Sequence, residues 1–249
     1  MCWSLPVSIG TTALGLGASV VARRRGMPKA IWISLAYFAL MEALQAAGYL
    51  VINACGTSAN QVITILSFLH IAFQPAFVNA ISLTLIPDEV ARRIRFGVYI
   101  VCGLSTAFMI AQLLPLEWAG ACRIPETMCA KELCTRSGDW HIAWDIPYNG
   151  LGTAIENLIG ADWGMPSYML STFLMPFLYG SWRFTLFHLL LGPVFANQLT
   201  TNNNDVPAIW CLFSVGIVAF AFFPPMVEWF RVRHWPLWPA SWTGAVANE

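Results

Sequence analysis

Charged side chains are scarce in this chain of 249 residues: they make up 10% of it, and only two of the thirteen basic residues are lysines, Lys29 and Lys131. A typical globular chain carries about 25% charged residues. The net charge is zero, and there is no basic stripe interleaved with aromatic residues, which excludes nucleic acid as the expected partner. Because 57% of the residues are hydrophobic, the composition also excludes an ordinary soluble domain.

Seven apolar segments are long enough to cross a bilayer, whose hydrocarbon core takes about 20 helical residues. Lipid offers the backbone no hydrogen-bond partner, so each segment must be a helix. The predicted fold class is therefore all-α: a polytopic membrane helix bundle with seven transmembrane helices, forming one domain over residues 1–249. Because only residues 181–183 separate the short fifth and sixth segments, a broken hairpin is the alternative there. The spans are predicted near 5–22, 30–53, 61–86, 96–114, 164–181, 184–200 and 206–227.

The basic residues predict the orientation of these spans, because cytoplasmic loops carry an excess of Lys and Arg. All the basic clusters fall on one side under a seven-span count, which places the N-terminus outside and the C-terminus in the cytoplasm. The opposite loop, at 115–163, holds seven acidic residues against three basic ones. The expected location is the plasma membrane or an inner membrane. The clusters comprise Arg23, Arg24, Arg25, Lys29, Arg92, Arg93, Arg95, Arg183, Arg231 and Arg233.

Cysteines are concentrated on the predicted outer side, where oxidising conditions favour disulfides. Four of them are disulfide candidates, and four cysteines allow three pairings that the sequence cannot choose between. Free thiols or a metal site are the alternatives, although the spacing lacks Cys-x-x-Cys pairs and the loop has only one histidine. Cys102 and Cys211 fall within spans and are expected to be inert thiols. The candidates are Cys55, Cys122, Cys129 and Cys134.

Polar side chains inside the predicted spans each require a partner, because an ionisable group there costs about 2.5–3.5 kcal/mol on insertion scales. Glu42 and Gln45 share a face of the second span, and three more polar residues share a face of the third. Structural hydrogen bonding between helices is the alternative to a functional role for all of them. The predicted ligand-binding set consists of Glu42, Gln45, Ser67, His70, Gln74 and His188, with His141 at the outer mouth.

Three functions are compatible with this polar set. The first is a site that binds a small ligand or a metal ion such as zinc or iron, with Glu42, His70 and His188 as metal ligands, in a membrane-embedded hydrolase or redox enzyme. The second is a transporter or proton-coupled carrier that titrates Glu42 and His70. The third is a non-catalytic accessory subunit of a larger membrane complex. The expected partners are the lipid bilayer and either a small apolar ligand or another membrane protein; no catalytic residue is identified.

Three sequence blocks carry a resemblance to a known family. They are Met1-Cys2-Trp3-Ser4, the loop segment Gly138-Asp139-Trp140-His141-Ile142-Ala143-Trp144, and Ala208-Ile209-Trp210-Cys211-Leu212-Phe213-Ser214. Together they resemble an uncharacterised family of small multipass membrane proteins that open with this Met-Cys-Trp-Ser signature. The resemblance covers the whole chain and implies a multipass membrane fold, but no activity.

Overall fold

Four long helices dominate the computed structural model, which describes residues 4–160, 164–214 and 222–242. They are α1 (Leu5–Arg24), α2 (Lys29–Leu50), α3 (Ser58–Ser82) and α4 (Asp88–Ala111). Each is long and apolar enough to cross a membrane. They coincide with the first four predicted apolar segments.

The ends of these helices follow from local chemistry. Pro6 lies in the first turn of α1, where its missing N–H leaves no hydrogen bond unmade. The Thr57 side chain caps α3 by accepting from the N–H of Asn60. Asp88 and Glu89 stand in the first turn of α4, where negative charge suits the helix dipole.

The remaining helices are short, and two pairs of them are joined by π-helical segments. Leu170–Leu174 joins α6 (Pro166–Met169) to α7 (Met175–Leu178), and Leu190–Val194 joins α8 (Trp182–Leu189) to α9 (Phe195–Leu199). The described helices therefore support four candidate spans and not the seven predicted. Part of the predicted seventh span, residues 215–221, lies outside the described residues. The short helices are α5 (Thr153–Ile159), α6 (Pro166–Met169), α7 (Met175–Leu178), α8 (Trp182–Leu189), α9 (Phe195–Leu199), α10 (Val206–Ser214) and α11 (Pro224–Phe230).

The basic clusters lie at one end of the bundle, here called the arginine end, formed by residues 23–29, 83–95, 179–183 and 222–242. The Val232 N–H donates to the Leu85 carbonyl, which ties the C-terminal segment to the α3–α4 connection. The Arg183 guanidinium donates to the Trp229 carbonyl at 2.7 Å. These contacts bring basic residues that are distant in the sequence to the same end.

The opposite end, here called the loop end, is formed by residues 51–57, 112–160, 164–165 and 200–205. It contains an antiparallel hairpin of β1 (Cys134–Ser137) and β2 (Ile142–Asp145), in which Thr135 pairs with Trp144. The prediction of an all-α fold missed this hairpin. The predicted disulfides are confirmed, and the structure selects the pairing Cys55–Cys134 and Cys122–Cys129.

Apolar side chains cover much of the outside of the four long helices. Phe96 is 79% exposed and Leu104 is 65% exposed, both on α4. Inside, α1 and α2 approach closely, because a Cβ at Gly15 would lie only 2.7 Å from the Cβ of Ala39. Close contact through small residues is typical of helices packed within a bilayer. Cys102 and Cys211 are buried outside the two disulfides, as expected.

Candidate functional site

A cavity of about 170 Å³ lies between α3, α6, α9 and α10, near the loop end. We call it the loop-end cavity. Loop residues Thr127 and Asn203 border it on the side of the hairpin. None of the described residues that line it is charged. The full lining is Ile71, Gln74, Thr127, Met165, Tyr168, Met169, Pro193, Asn197, Asn203, Val206, Pro207, Trp210 and Cys211.

Aromatic rings build one wall of the loop-end cavity. The Trp210 ring stacks on Phe173 and meets Tyr168 edge to face, each with 5.5 Å between ring centroids. The Trp210 indole N–H donates to His188 Nε2 at 3.0 Å. That bond requires Nε2 to be unprotonated, so the neutral ring carries its proton on Nδ1. His188 thus fixes the orientation of Trp210 but does not itself line the cavity.

Gln74 and Tyr168 provide a buried polar group in the lining of the cavity. The Tyr168 hydroxyl donates to Gln74 Oε1 at 2.7 Å, and Gln74 Nε2 lies 3.5 Å from the Cys211 sulfur. A carboxamide has two N–H donors, and sulfur is a weak acceptor. One N–H of Gln74 and one lone pair of the Tyr168 oxygen, which also faces the Thr172 hydroxyl, therefore remain available to a bound molecule.

Both π-helical segments lie beside the cavity, and prolines explain their position. Pro176 and Pro193 lack the N–H that would bond four residues back, which weakens the α-helical ladder at those points. Gly192 has a non-helical backbone (φ −86°, ψ −109°), and a Cβ there would lie 2.4 Å from Trp210 Nε1. Glycine at this position lets the π segment approach the indole. Single π turns inside helices are frequent at functional sites.

His141 is buried within the loop end and does not line the loop-end cavity. Its Nδ1 accepts from the Ile142 N–H at 2.7 Å and lies 3.3 Å from the Tyr49 hydroxyl. The ring is fully buried, and burial lowers the pKa of His141 to about 3. The sequence-based placement of His141 at an open mouth is therefore not what the structure describes.

Asp205 ties the loop to the start of α10. Its carboxylate accepts the backbone N–H groups of Trp140 and His141, at 2.9 and 3.1 Å. Burial raises the pKa of Asp205 above its ordinary range, although these two N–H groups oppose the shift. Gly138 is required nearby, because a Cβ on it would lie 2.6 Å from the Asp205 carboxyl carbon. The hydrogen bonds from Trp140 and His141 to Asp205 hold the hairpin over the end of the bundle that contains the cavity.

Glu42 and His70, predicted to share one polar site, have different partners. Glu42 Oε2 accepts from the Thr11 hydroxyl of α1 at 2.8 Å. The His70 ring instead stacks on Tyr37 of α2, with 3.9 Å between centroids. Neither residue lines the loop-end cavity.

The other predicted site residues divide between the cavity and the helix interfaces. Gln74 lines the cavity, and Gln45 Nε2 donates to the Ala208 carbonyl of α10 at 3.4 Å. Ser67 is buried in α3. In the described ranges, Ser67 Oγ, His70 Nε2, Gln45 Oε1 and Glu42 Oε1 are buried without a hydrogen-bond partner. Buried polar atoms of this kind are commonly satisfied by internal water.

The metal-binding expectation receives no support from the geometry. Within residues 4–160, 164–214 and 222–242, no group of three or more His, Cys, Asp or Glu side chains could hold a metal ion. Glu42, His70 and His188 point instead to three different partners, Thr11, Tyr37 and Trp210.

Tyr168 and Trp210 are the main site residues that sequence reasoning did not select. Trp210 belongs to one of the blocks that carried the family resemblance, and Pro193 marks the break beside it. An aromatic residue in an apolar segment gives no signal of its own, because such residues usually fill a core. Only the packing of α6 against α10 identifies the pair.

Comparisons with known proteins agree with the expected uncharacterised family. No curated protein and no solved structure matches the chain. Met1, Cys2 and Trp3 of the proposed signature lie outside both the described residues and the range matched by the family model. The family model that matches, over residues 6–231, describes a family of unknown function named DUF5765. The chain therefore belongs to this family of unknown function.

Proposed function

We propose that this protein is an integral membrane protein that binds a small, neutral, mainly apolar molecule in the loop-end cavity. The observation that carries the proposal is a mainly apolar cavity whose described lining is uncharged but includes the Gln74–Tyr168 hydrogen-bonded pair. Binding sites typically combine apolar walls with a few well-placed polar groups.

The size and polarity of the cavity define the ligand class. A cavity of 150 Å³ lined by apolar side chains holds one benzene molecule, and this one measures about 170 Å³. Gln74 can donate and Tyr168 can accept, so the preferred ligand carries a hydroxyl or amide group. The described lining contains no Asp, Glu, His, Lys or Arg, and its two titratable groups, Tyr168 and Cys211, are both engaged by Gln74, which favours binding over acid–base catalysis.

The binding test uses two probes of the same shape, benzyl alcohol and ethylbenzene, with the protein in lipid nanodiscs and empty nanodiscs as background. Gln74→Met preserves volume but removes the donor, so it should weaken benzyl alcohol binding about tenfold, the worth of one hydrogen bond. Ethylbenzene binding should change less than twofold. Ligand-observed NMR titration gives both dissociation constants.

Two valine variants test whether the probes bind inside the cavity. Val206→Trp fills the cavity and should abolish binding of both probes, whereas Val194→Trp alters an exposed position outside the lining and should leave binding unchanged. Circular dichroism and melting temperature confirm folding of each variant. Binding that survives Val206→Trp in a folded protein would contradict the proposal.

We further propose seven spans, with the loop end outside and the arginine end in the cytoplasm of a plasma or inner membrane. The basic residues at the arginine end and the disulfides at the loop end support this orientation. The fifth, sixth and seventh spans would be the helices from Pro166, Trp182 and Val206.

The orientation predicts the result of a protease-protection experiment. A tag inserted at Lys131, in the exposed loop, should be cleaved in intact cells, whereas a tag after Glu249 should be protected. Permeabilised cells, in which both tags are cleaved, provide the control. Cleavage of both tags in intact cells would rule out an odd number of spans.

A further inference from the structure

A second recess opens at the arginine end, on the side of the bundle between α2 and α4. Its volume is about 740 Å³, several times that of the loop-end cavity. We call it the lateral groove. It is lined by Pro28, Lys29, Ala30, Ile33, Ser34, Ala76, Phe77, Ala80, Leu83, Thr84, Asp88, Arg95, Tyr99 and Arg231.

Small side chains of α3 explain the shape of the lateral groove. Ala76 and Ala80 lie one turn apart and form its floor, where larger residues would fill the space between α2 and α4. Ile33 of α2 and Tyr99 of α4 form the walls and are partly exposed, at 39% and 40%. The result is a mainly apolar trough, open on the side of the bundle.

Basic side chains surround the end of the groove that reaches the arginine end. Lys29, Arg95 and Arg231 line it, against the single carboxylate of Asp88. The Arg231 guanidinium forms an ion pair with the Glu228 carboxylate, at 3.1 Å. Within the described ranges, Lys29 and Arg95 form no ion pair within 4.0 Å. The groove thus combines an apolar length with a positively charged end.

We propose that the lateral groove binds one anionic phospholipid, with its phosphate between Lys29 and Arg95 and an acyl chain along Ile33, Ala80 and Tyr99. Basic pockets between transmembrane helices on the cytoplasmic side recognise anionic headgroups. The inference rests on the membrane orientation proposed above, but not on the ligand of the loop-end cavity. Lys29 and Arg95 would then bind a specific lipid, in addition to the general effect of basic residues on the orientation of the spans.

The test measures lipid retention by native mass spectrometry of protein purified in detergent and exposed to equal amounts of phosphatidylglycerol and phosphatidylcholine. Phosphatidylglycerol should be retained at one molecule per chain. The double variant Lys29→Gln/Arg95→Gln should lower that retention at least tenfold, since each basic residue near an anionic lipid contributes about fivefold. Arg24→Gln/Arg92→Gln removes the same charge outside the groove and should retain the lipid normally.

Two further arms identify the source of the phosphate and the role of the acyl chain. Inorganic phosphate and glycerophosphoglycerol, at equal concentration, should neither raise the melting temperature nor displace the bound lipid.

Ala80→Phe fills the trough and should lower retention, whereas Ala107→Phe, on an exposed face of α4, should not. Equal retention of the two lipids, or equal losses in the two charge variants, would overturn the inference. Probe binding in the loop-end cavity is measured separately, so either result can fail alone.

Discussion

Replacing Cys55 and Cys134 together with serine should lower the free energy of unfolding by about 4.5 kcal/mol, the chain-entropy value for a crosslink across 79 residues. This disulfide ties the α2–α3 connection to β1, next to the Asn53 N–H bond to the Thr135 carbonyl. Its loss removes the covalent tie, while hydrogen bonds such as those from Trp140 and His141 to Asp205 still hold the hairpin against the bundle. Denaturant unfolding in detergent micelles, followed by tryptophan fluorescence, measures the change.

The second disulfide provides a matched control. Cys122 and Cys129 are seven positions apart, so Cys122→Ser/Cys129→Ser should cost only about 2 kcal/mol on the same basis. Both double variants remove one crosslink and add two hydroxyl groups. Equal losses in the two variants would contradict the assignment of the longer crosslink as the main covalent constraint on the loop end.

Lowering the pH from 7.5 to 5 should destabilise the protein through His141 by about 2 kcal/mol. Burial lowers the pKa of His141 to about 3 in the folded protein, against about 6.5 when unfolded. The unfolded chain therefore binds the proton more tightly, and stability falls as the pH drops below 6.5, until about pH 3. Unfolding titrations at several pH values measure this slope.

His141→Asn isolates this contribution from that of other titrating groups. The asparagine oxygen can take the place of Nδ1 as acceptor for the Ile142 N–H, but it does not titrate. The nearby Asp205 carboxylate and Tyr49 hydroxyl remain in both proteins. The variant should lose about 2 kcal/mol less than the natural protein between pH 7.5 and 5. Identical pH profiles would show that His141 is not the group responsible.

Long-range apolar patterning explains what could be predicted of the fold. The four long helices were recognisable because 20 apolar residues admit few other structures in lipid. The hairpin was missed because its strands have only four residues each, Cys134–Ser137 and Ile142–Asp145. Its signal is the four-residue connection 138–141 between them, because a connection of three to five residues that contains a glycine, here Gly138, is typical of a β-hairpin. The fifth and sixth segments are short in the sequence, and in the structure a π turn interrupts the helix that each one forms.

The site was harder to predict, because tertiary contacts define it. Gln74 was selected as a polar residue in a span and does line the cavity. His188 was selected for the same reason, yet it acts through its hydrogen bond to Trp210. Glu42 faces α1 and accepts a hydrogen bond from the Thr11 hydroxyl. Nothing in the sequence identifies Thr11 as its partner. Which face of a helix meets which neighbour cannot be read from spacing alone.

The π turn at Leu190–Val194 also fixes the rotational register of everything that follows it in α9. A π turn accommodates one more residue than an α turn, and one helical residue corresponds to about 100° of rotation. A family member with the same number of residues here but an unbroken α-helix would therefore turn Asn197 by about 100°, away from the cavity lining, whereas one shorter by a single residue would keep it there without a π turn.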